Sequence, residues 1–587
     1  MSSDSNEVRF RGAGVSAGIA RGLVHVIYDD LDDVARYHIE ASQIPNEIAR
    51  FETALVQTRV QILEMQQKIA EAIGTKDAAI FDAHLLVVED RTLIDEVLRR
   101  LEAEHCNVEW IFQEVASNYS ETLGKIDDPY LRERALDIQD VTKRIVHNLQ
   151  GKAPKAFTAI AEPHILVAHN LTPSDTATMN RELVLGIATD LGSRTSHTAI
   201  IARSLNIPAV VGLHDATERL ETGQHVLLDG YTGVVIVDPT PETLSYYGEI
   251  EIKKGQVAKK LGELRETKST TRDGRHIVLS ANIELPTDVE AVAANGAEGI
   301  GLYRTEFLYV NRDTLPTEEE QYETYRKVAE RVAPDPLIIR TFDLGGDKLA
   351  VGTVDLGDEL NPFLGWRAIR FCLENIDIFK TQLRAILRAS AVGNVKVMFP
   401  MISGLEELRN AIKVLKECAG EVKREGHELN MRTEVGAMIE IPSAAISSEM
   451  LAREVDFFSI GTNDLIQYAI AVDRGNERIA HLYEPTHPAV LRLLKMITDA
   501  AHANNIWVGV CGEMAGDVAL VPLLLGLGVD ELSAGATLVP RVKRAVQSLA
   551  IPECQQLVAE ALKLETPSEI LARCLELATN RYGDLLG

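Results

Sequence analysis

A histidine flanked by small and hydroxyl side chains is the first feature that could do chemistry. His197 ends the loop-like run GSRTSH and precedes the helix-like run TAIIARSL. Backbone N–H groups and the dipole at a helix N-terminus favour an anion, and they keep a histidine there neutral and nucleophilic. Arg194, Thr195 and Ser196 add donors suited to a phosphoryl group. From the residues alone, a phosphohistidine and an ordinary histidine are equally good interpretations.

A second set of polar residues follows short apolar runs in the C-terminal half. These residues are Arg304, Arg340, Arg367, Glu440, Asn463, Asp464, Arg474 and Cys511. The planar guanidinium of arginine suits bidentate binding of phosphate and carboxylate, and the two carboxylates supply the hard oxygen ligands that Mg²⁺ prefers. A lone arginine after a strand is more often part of a surface salt bridge. If these residues converge, they predict a positively charged pocket for a small, highly anionic phosphate ester and a divalent metal.

The cysteine of this set, Cys511, allows two interpretations. Free cysteine usually behaves as a small buried hydrophobe. Alternatively, a neighbouring cluster of positive charge would lower the pKa of its thiol and favour proton transfer or nucleophilic attack. The residues alone leave both interpretations open.

Strands that alternate with helices from about residue 270 onward must position this second set. The strand-like runs are 277–283, 299–303, 337–341, 395–400, 434–440, 457–461, 507–511 and 531–533, each followed by a helix-like segment. Eight such units predict a (β/α)8 TIM barrel over residues 269–587, in preference to a doubly wound open sheet. Catalytic groups of such barrels lie at the C-terminal ends of the strands, which is where these polar residues stand.

The N-terminal part predicts an α/β domain with a helical insertion. Residues 1–28 and 149–240 contain short β-rich runs between glycines, whereas 29–148 is almost free of glycine and repeats apolar residues at three- and four-residue spacing. We therefore expect an all-helical subdomain of about four helices inserted into the α/β domain. Residues 241–268 are polar and helix-prone, which indicates a helical linker. The fold class is thus multidomain α/β.

Charge and composition exclude several classes of function. The 587 residues include 60 basic and 87 acidic side chains, and the net charge of −27 disfavours binding to nucleic acid or to an anionic membrane. The first residues lack the pattern of a secretion signal, and the most apolar stretch, 518–529, is too short to span a bilayer. The six cysteines are widely spaced without a CxxC pair. We expect a cytoplasmic protein in a reducing compartment.

The motifs around these residues resemble those of enzyme I of the bacterial phosphotransferase system, which belongs to the PEP-utilising enzymes. GSRTSHTAIIARSLNIPAVVG is similar to its phosphohistidine signature, and GIGLYRTEF, NPFLGWRAIR, FFSIGTNDLIQY and VGVCGEMAGD are similar to its PEP-binding barrel motifs. The resemblance covers essentially the whole chain in the same order. It implies that phosphoenolpyruvate (PEP) phosphorylates an enzyme histidine with release of pyruvate and a requirement for Mg²⁺. The phosphoryl group then passes to a histidine of the small carrier protein HPr.

The resemblance also implies roles for individual residues. His197 matches the phosphorylated histidine, and Cys511 matches the proton donor that converts enolpyruvate to pyruvate. The matches to PEP-binding residues are Arg304, Arg340, Arg474, Asn463 and Asp464, with Arg367 in a supporting role. Glu440 and Asp464 match the magnesium ligands.

The domains acquire roles from the same resemblance. The helical insertion matches the HPr-docking subdomain, and the barrel matches a unit that forms a homodimer. Because His197 and the barrel motifs lie in different domains, we expect the phosphohistidine domain to swivel between the barrel and the carrier. The relay would serve sugar uptake or a purely regulatory pathway.

Related enzymes and one departure from the motif leave alternatives open. Pyruvate phosphate dikinase and PEP synthase add a nucleotide-binding domain, and the nitrogen-branch enzyme I adds an N-terminal sensory domain; we expect neither here. A regulatory phosphoprotein without PEP chemistry is disfavoured because Cys511, Glu440 and Asp464 are present. Many members read GGRTSH where this chain has Ser193, a residue that would be strained if the position requires φ > 0.

The charge of the helical insertion predicts that carrier binding depends on salt. Residues 29–148 include 25 acidic and 13 basic side chains, a net charge of −12, so a carrier with a basic face is expected there. Raising NaCl from about 50 to about 300 mM should weaken HPr binding about fivefold because salt screens these charges. Isothermal titration calorimetry measures the affinity, and an affinity independent of salt would contradict the expectation.

Overall fold

The computed structural model describes most of the chain, which divides into two units. The described residues are 7–27, 34–73, 80–124, 129–151, 162–172, 175, 179, 183–193, 196–205, 207–309, 314–344, 361–474, 476 and 478–586. The two units are Met1–Lys253 and Lys254–Gly587. Within the described residues, no helix is both long enough and apolar enough to cross a membrane.

A mixed sheet of eight strands forms the α/β part of the first unit. The strands are β1 Val8–Arg11, β2 Ala13–Ser16, β3 Ile19–Ile27, β4 His164–Ala168, β5 Val184–Thr189, β6 Ala209–Val211, β7 His225–Asp229 and β8 Val234–Val237, in the order β1-β8-β7-β3-β4-β5-β6-β2. Strands β3 to β6 run parallel. The segments that follow β4, β5 and β6 therefore leave the sheet at the same edge, and the segment after β5 leads to His197.

Five described helices interrupt this sheet between β3 and β4. They are α1 Ile44–Ile73, α2 Ile80–Val88, α3 Arg91–Glu104, α4 Val108–Gly124 and α5 Pro129–Gln150. Their apolar faces share a core that contains Phe51, Phe81 and Phe112. The inserted helical subdomain is thus confirmed, although the sequence predicted about four helices.

The boundary between α2 and α3 explains the additional helix. It contains neither glycine nor proline. Instead, the Asp90 carboxylate accepts the backbone N–H groups of Thr92 at 2.8 Å and Leu93 at 3.3 Å, which starts a new helix. Asp is a good N-cap residue because its oxygen satisfies N–H groups that have no partner within the helix.

Three further helices follow in chain order within the described residues. Helix α6 is His197–Ser204, α7 is Ala216–Arg219 and α8 is Pro241–Glu263. The first turns of α8 pack on the sheet, where Tyr247 is buried against Leu227 and Ile236. The segment predicted as a polar helical linker is therefore helical over most of its length, and its start belongs to an apolar core.

Eight parallel strands close into a barrel in the second unit. They are β9 Val278–Ile283, β10 Ile300–Tyr303, β11 Leu337–Arg340, β12 Val395–Phe399, β13 Val435–Ile439, β14 Phe457–Ile460, β15 Trp507–Val510 and β16 Glu531–Gly535. Strand β16 pairs with β9, from Glu531 opposite Val278 to Gly535 opposite Asn282, which closes the ring. The predicted TIM barrel is confirmed, and the open-sheet alternative is wrong.

Helices connect these strands and cover the outside of the barrel. They are α9 Val289–Ala294, α10 Glu318–Val332, α11 Ala368–Glu374, α12 Ile376–Ala389, α13 Leu405–Arg424, α14 Pro442–Ile446, α15 Ser448–Leu451, α16 Thr462–Ile470, α17 Pro488–Ala503, α18 Val521–Leu527, α19 Val539–Ser548, α20 Ile551–Ala561 and α21 Pro567–Tyr582. A separate buried cluster includes strand residues Leu302, Ile338, Met398, Met438 and Phe457, together with Cys511. The barrel interior is therefore packed, and polar groups at the strand ends rest on an apolar floor.

Candidate active site

The C-terminal ends of the barrel strands carry the polar residues predicted from the sequence. Arg304 follows β10, Arg340 ends β11, Glu440 follows β13, Asn463 and Asp464 lie in the first turn of α16, and Cys511 follows β15. A cavity of about 500 Å³ opens here, and Arg304, Asn463, Arg474 and Cys511 contribute to its lining. Arg340 and Glu440 are buried and act electrostatically on Cys511, so they lie close to the wall of this cavity.

Two arginines of the site belong to a buried ion cluster. Arg340 donates from Nη2 to Glu306 Oε1 at 2.9 Å and pairs through Nη1 with Asp343 Oδ2 at 2.6 Å. Arg367 donates to the other oxygen of Asp343, Oδ1, at 2.8 Å. Desolvation lowers the pKa of both guanidiniums, but the adjacent carboxylates outweigh it and raise the pKa of each. Both arginines therefore stay charged and fixed in place.

The other two arginines pair with carboxylates that are more exposed. Arg304 donates to Glu284 Oε1 at 2.5 Å. Arg474 donates from Nη1 to Glu513 Oε1 at 2.7 Å. Asn463 joins the second pair, because its Nδ2 also donates to Glu513 Oε1, at 3.2 Å.

These carboxylates make the pocket less positive than the sequence predicted. The sequence predicted a positively charged pocket from four arginines, and each of the four has a carboxylate partner: Glu284, Glu306, Asp343 or Glu513. With Glu440 and Asp464 added, the carboxylates outnumber the guanidiniums among these described residues of the barrel mouth. Sequence reasoning missed the pairs because the partners mostly follow different strands, although Glu306 and Glu513 stand inside the motifs that carry Arg304 and Cys511.

Glu440 and Asp464 form the pair of carboxylates predicted to bind a metal. Glu440 is buried, and its Oε1 accepts the backbone N–H of Met401 at 2.6 Å. Burial and the negative charges of Asp464 and Asp343 raise the pKa of Glu440 well above its usual range. A divalent cation would offset this repulsion, so the donor set fits one. The described residues hold no group of three or more His, Cys, Asp and Glu side chains placed for a metal, so further ligands would come from substrate or water.

The thiol of Cys511 is buried at the inner wall of the cavity. Its Sγ donates to the backbone oxygen of Ile460 at 3.7 Å. Burial raises the pKa of Cys511 to about 11, although Arg304 and Arg340 act to lower it. Of the two interpretations that the residues left open, a lowered thiol pKa is not favoured, because desolvation outweighs the effect of the arginines. At neutral pH the group is a thiol that can donate a proton, and it is a poor nucleophile.

The phosphohistidine candidate lies in the first unit, at the start of α6. His197 is the first residue of this helix, and the Ser196 Oγ caps it by accepting the backbone N–H of Ala199 at 3.4 Å. Thr198 Oγ1 donates to the Leu171 oxygen at 3.1 Å, which fixes the first turn to the segment after β4. The predicted helix N-terminus is thus present. Arg194 and Thr195, predicted as phosphoryl donors, lie outside the described residues.

The unusual serine of the GSRTSH motif does not strain the backbone. Ser193 is absent from the described non-glycine residues with positive φ, whereas Gly192 has a φ of +118°. The position that needs glycine is therefore 192, where glycine stands. The Ser193 backbone oxygen accepts a hydrogen bond from Ser196 Oγ at 2.9 Å, so this residue supports the cap of α6.

Comparisons with known proteins assign the segments that carry both sites to one family. The chain matches three descriptions of one family: PEP-utilising enzyme, N-terminal, over residues 11–134; PEP-utilising enzyme, mobile domain, over 160–233; and PEP-utilising enzyme, PEP-binding domain, over 258–551. Enzymes of this family use a divalent metal.

Individual relatives match over nearly their whole length. The phosphoenolpyruvate-protein phosphotransferase of Bacillus sp. (strain S) is 45% identical over 576 residues, which covers 97% of this chain and 98% of that protein. The phosphoenolpyruvate-protein phosphotransferase of Bacillus subtilis (strain 168) is 44% identical over 566 residues, with coverage of 96% and 98%. An NMR solution structure of Enzyme I (nEIt) is 38% identical and covers 42% of this chain and 99% of that chain, with a TM-score of 0.36. The chain therefore belongs to the PEP-utilising enzymes and, within them, to the phosphoenolpyruvate-protein phosphotransferase family.

Gly512, between Cys511 and Glu513, should not tolerate a side chain. Its φ of −79° suits any residue, but a Cβ would overlap Thr462 Oγ1 and lie 2.8 Å from the Thr462 backbone nitrogen. Gly512→Ala should displace the first turn of α16 and lower kcat/KM for PEP about 100-fold, since small misplacements of binding groups are costly. Pyruvate formation measures the rate. Gly420→Ala is the control, because a Cβ there meets nothing within 4 Å; equal rates for both variants would contradict the prediction.

The raised pKa of Cys511 predicts a particular pH profile. A proton donor acts only while protonated, and a pKa of about 11 keeps this thiol protonated at pH 9. The rate of pyruvate formation should therefore stay level from about pH 7.5 to about pH 9.5. A thiol with the usual pKa of about 8.5 would be about 90% deprotonated at the upper end of this range. Cys511→Ala should lower the rate by at least about 100-fold, as for a lost general acid. A decline centred near pH 8.5 that only the wild-type enzyme shows would refute the assignment.

Proposed function

We propose that this protein transfers the phosphoryl group of PEP to its own His197, releases pyruvate, and passes the group to a histidine of HPr. One observation carries the proposal: four arginines, the buried carboxylate of Glu440 beside that of Asp464, and a buried protonated thiol converge at one barrel mouth. The activity of its phosphoenolpyruvate-protein phosphotransferase relatives supports PEP as the donor and a protein as the acceptor.

The arginines bind and orient the substrate. Arg304, Arg340 and Arg474 contact the phosphate of PEP, Asn463 and Asp464 complete its binding, and Arg367 supports the site through Asp343. Phosphoryl transfer passes through a loose transition state, so catalysis consists mainly of positioning and charge stabilisation. Glu440 and Asp464 would hold Mg²⁺, which neutralises negative charge on PEP when bound.

Cys511 supplies the proton that completes the reaction. Transfer breaks the bond between phosphorus and the enol oxygen of PEP and forms a bond between phosphorus and an imidazole nitrogen of His197. The enolate that remains takes the thiol proton at its methylene carbon and becomes pyruvate. The thiolate then recovers a proton from water in the cavity, which Cys511 helps to line. The high pKa of the thiol favours this recovery.

The domains divide the relay into stages. Residues 1–28 and 149–240 form the phosphohistidine domain, 29–148 the HPr-docking subdomain, 241–268 the linker and 269–587 the PEP-binding domain. The phosphohistidine domain swivels, because His197 must reach both PEP and the carrier. The barrel mediates a homodimer. The protein acts in the cytoplasm, which agrees with six cysteines that are all free and buried, and the relay serves sugar uptake or regulation.

Mass spectrometry of the intact protein tests the phosphoryl acceptor. Incubation with PEP and Mg²⁺ should add one acid-labile phosphoryl group per chain, and HPr should remove it. His197→Ala should abolish the addition, whereas His225→Ala, at an exposed position of the same unit, should leave it unchanged. Labelling that survives His197→Ala would refute the proposal. Labelling from ATP and phosphate in place of PEP would instead favour a dikinase.

A further inference from the structure

The four carboxylates that pair with arginines at the barrel mouth fall into two classes of exposure. The side chains of Glu513 and Glu284 are 75% and 45% exposed, whereas those of Glu306 and Asp343 are 16% and 3% exposed. Breaking a buried pair leaves an uncompensated charge and is costly, but an exposed pair contributes little to stability. Glu306 and Asp343 therefore stay on Arg340 and Arg367, whereas Glu513 and Glu284 can leave their arginines at low cost.

Glu513 occupies the groups that are proposed to bind PEP. Its Oε1 alone accepts hydrogen bonds from Arg474 Nη1 at 2.7 Å and from Asn463 Nδ2 at 3.2 Å. An oxygen of a phosphate or carboxylate group would accept from the same two donors. The Glu513 backbone is held independently, since its N–H donates to Asn463 Oδ1 at 2.9 Å, so the carboxylate can turn away while the main chain stays in place.

Glu284 pairs with Arg304 in the way that Glu513 pairs with Arg474. Its Oε1 accepts from Arg304 Nη1 at 2.5 Å, and Arg304 lines the same cavity as Arg474 and Asn463. Arg304 and Arg474 are themselves partly exposed, unlike Arg340 and Arg367. The two arginines open to the cavity are thus the two with exposed partners.

We propose that Glu513 and Glu284 are displaceable counter-ions, which PEP replaces on Arg474 and Arg304 as it binds. The inference rests on the proposed function, because it takes PEP as the anion. The carboxylates compete with the substrate for the same N–H groups, so they make PEP binding weaker than the arginines alone would allow. Removing either carboxylate should therefore tighten PEP binding, which is opposite to the usual effect of a substitution at a binding site.

The direction in which the loss of Glu513 changes PEP affinity distinguishes this exchange from a positioning role. If Glu513 served to hold Arg474 and Asn463 in place, its removal would loosen PEP binding. Asp343 is the comparison, since it is buried and joins Arg340 to Arg367. Asp343→Asn should weaken PEP binding at least about tenfold, because it leaves the buried Arg367 without its charged partner and Arg340 with Glu306 alone.

Calorimetric titration of PEP in the presence of Mg²⁺ tests the exchange. The full chain carries His197→Ala in every sample, so that bound PEP is not consumed. Glu513→Gln and Glu284→Gln should each lower the Kd for PEP about threefold, as expected for the loss of one exposed ion pair. The double variant should lower it about tenfold, because the two ion pairs are made by different residues.

Two further variants remove a charge without freeing an arginine of the cavity. Asp517 lines the same cavity, and its carboxylate accepts the Ala519 backbone N–H, so Asp517→Asn measures the general effect of charge. Glu454 pairs with Arg409 elsewhere in the barrel, so Glu454→Gln should leave the Kd unchanged. Unchanged or weaker binding in Glu513→Gln and Glu284→Gln overturns the inference, as does equal tightening in Asp517→Asn. If the parent binds no PEP, the proposed function fails and the inference fails with it.

Discussion

A buried carboxylate shared between two arginines determines the arrangement of the barrel mouth. Asp343 contacts Arg340 through one oxygen and Arg367 through the other, and Glu306 adds a second contact to Arg340. Buried charges are stable only when paired, so each member of the cluster holds the others in position. Arg340 ends β11 and Glu306 follows β10, so the cluster also links neighbouring strand ends. The rest of the site is arranged around this fixed part.

Desolvation gives the remaining groups their chemical character. Cys511 belongs to an apolar cluster inside the barrel, and burial keeps its thiol protonated despite nearby arginines. Glu440 is buried beside Asp464, and the resulting repulsion is what a divalent cation would relieve. A packed, closed barrel provides both effects, because its strand ends meet above an apolar interior. The same environment thus produces a protonated thiol and a pair of repelling carboxylates at the same end of the barrel.

The order and ends of the barrel strands were readable from the sequence, and the pairing of charges was not. Alternation of apolar runs with helical segments located every barrel strand, and the GSRTSH motif located a helix start at His197. The predicted number of helices in the insertion was too low because the side chain of Asp90, and no glycine or proline, starts α3. The carboxylate partners of the arginines and the direction in which the pKa of Cys511 shifts were not predicted, because they depend on burial and on partners from other strands. Neither the burial of a group nor its partners can be read from residue types along the chain.

A rapid-quench time course tests most directly whether the barrel mouth and His197 carry out one reaction. The full chain is mixed with PEP and Mg²⁺, and pyruvate and protein-bound phosphate are measured in the same samples. The account predicts that both appear at the same rate and reach one equivalent per chain, with the phosphate on His197. Pyruvate that forms without matching phosphohistidine would show that the barrel hydrolyses PEP, and it would contradict the account.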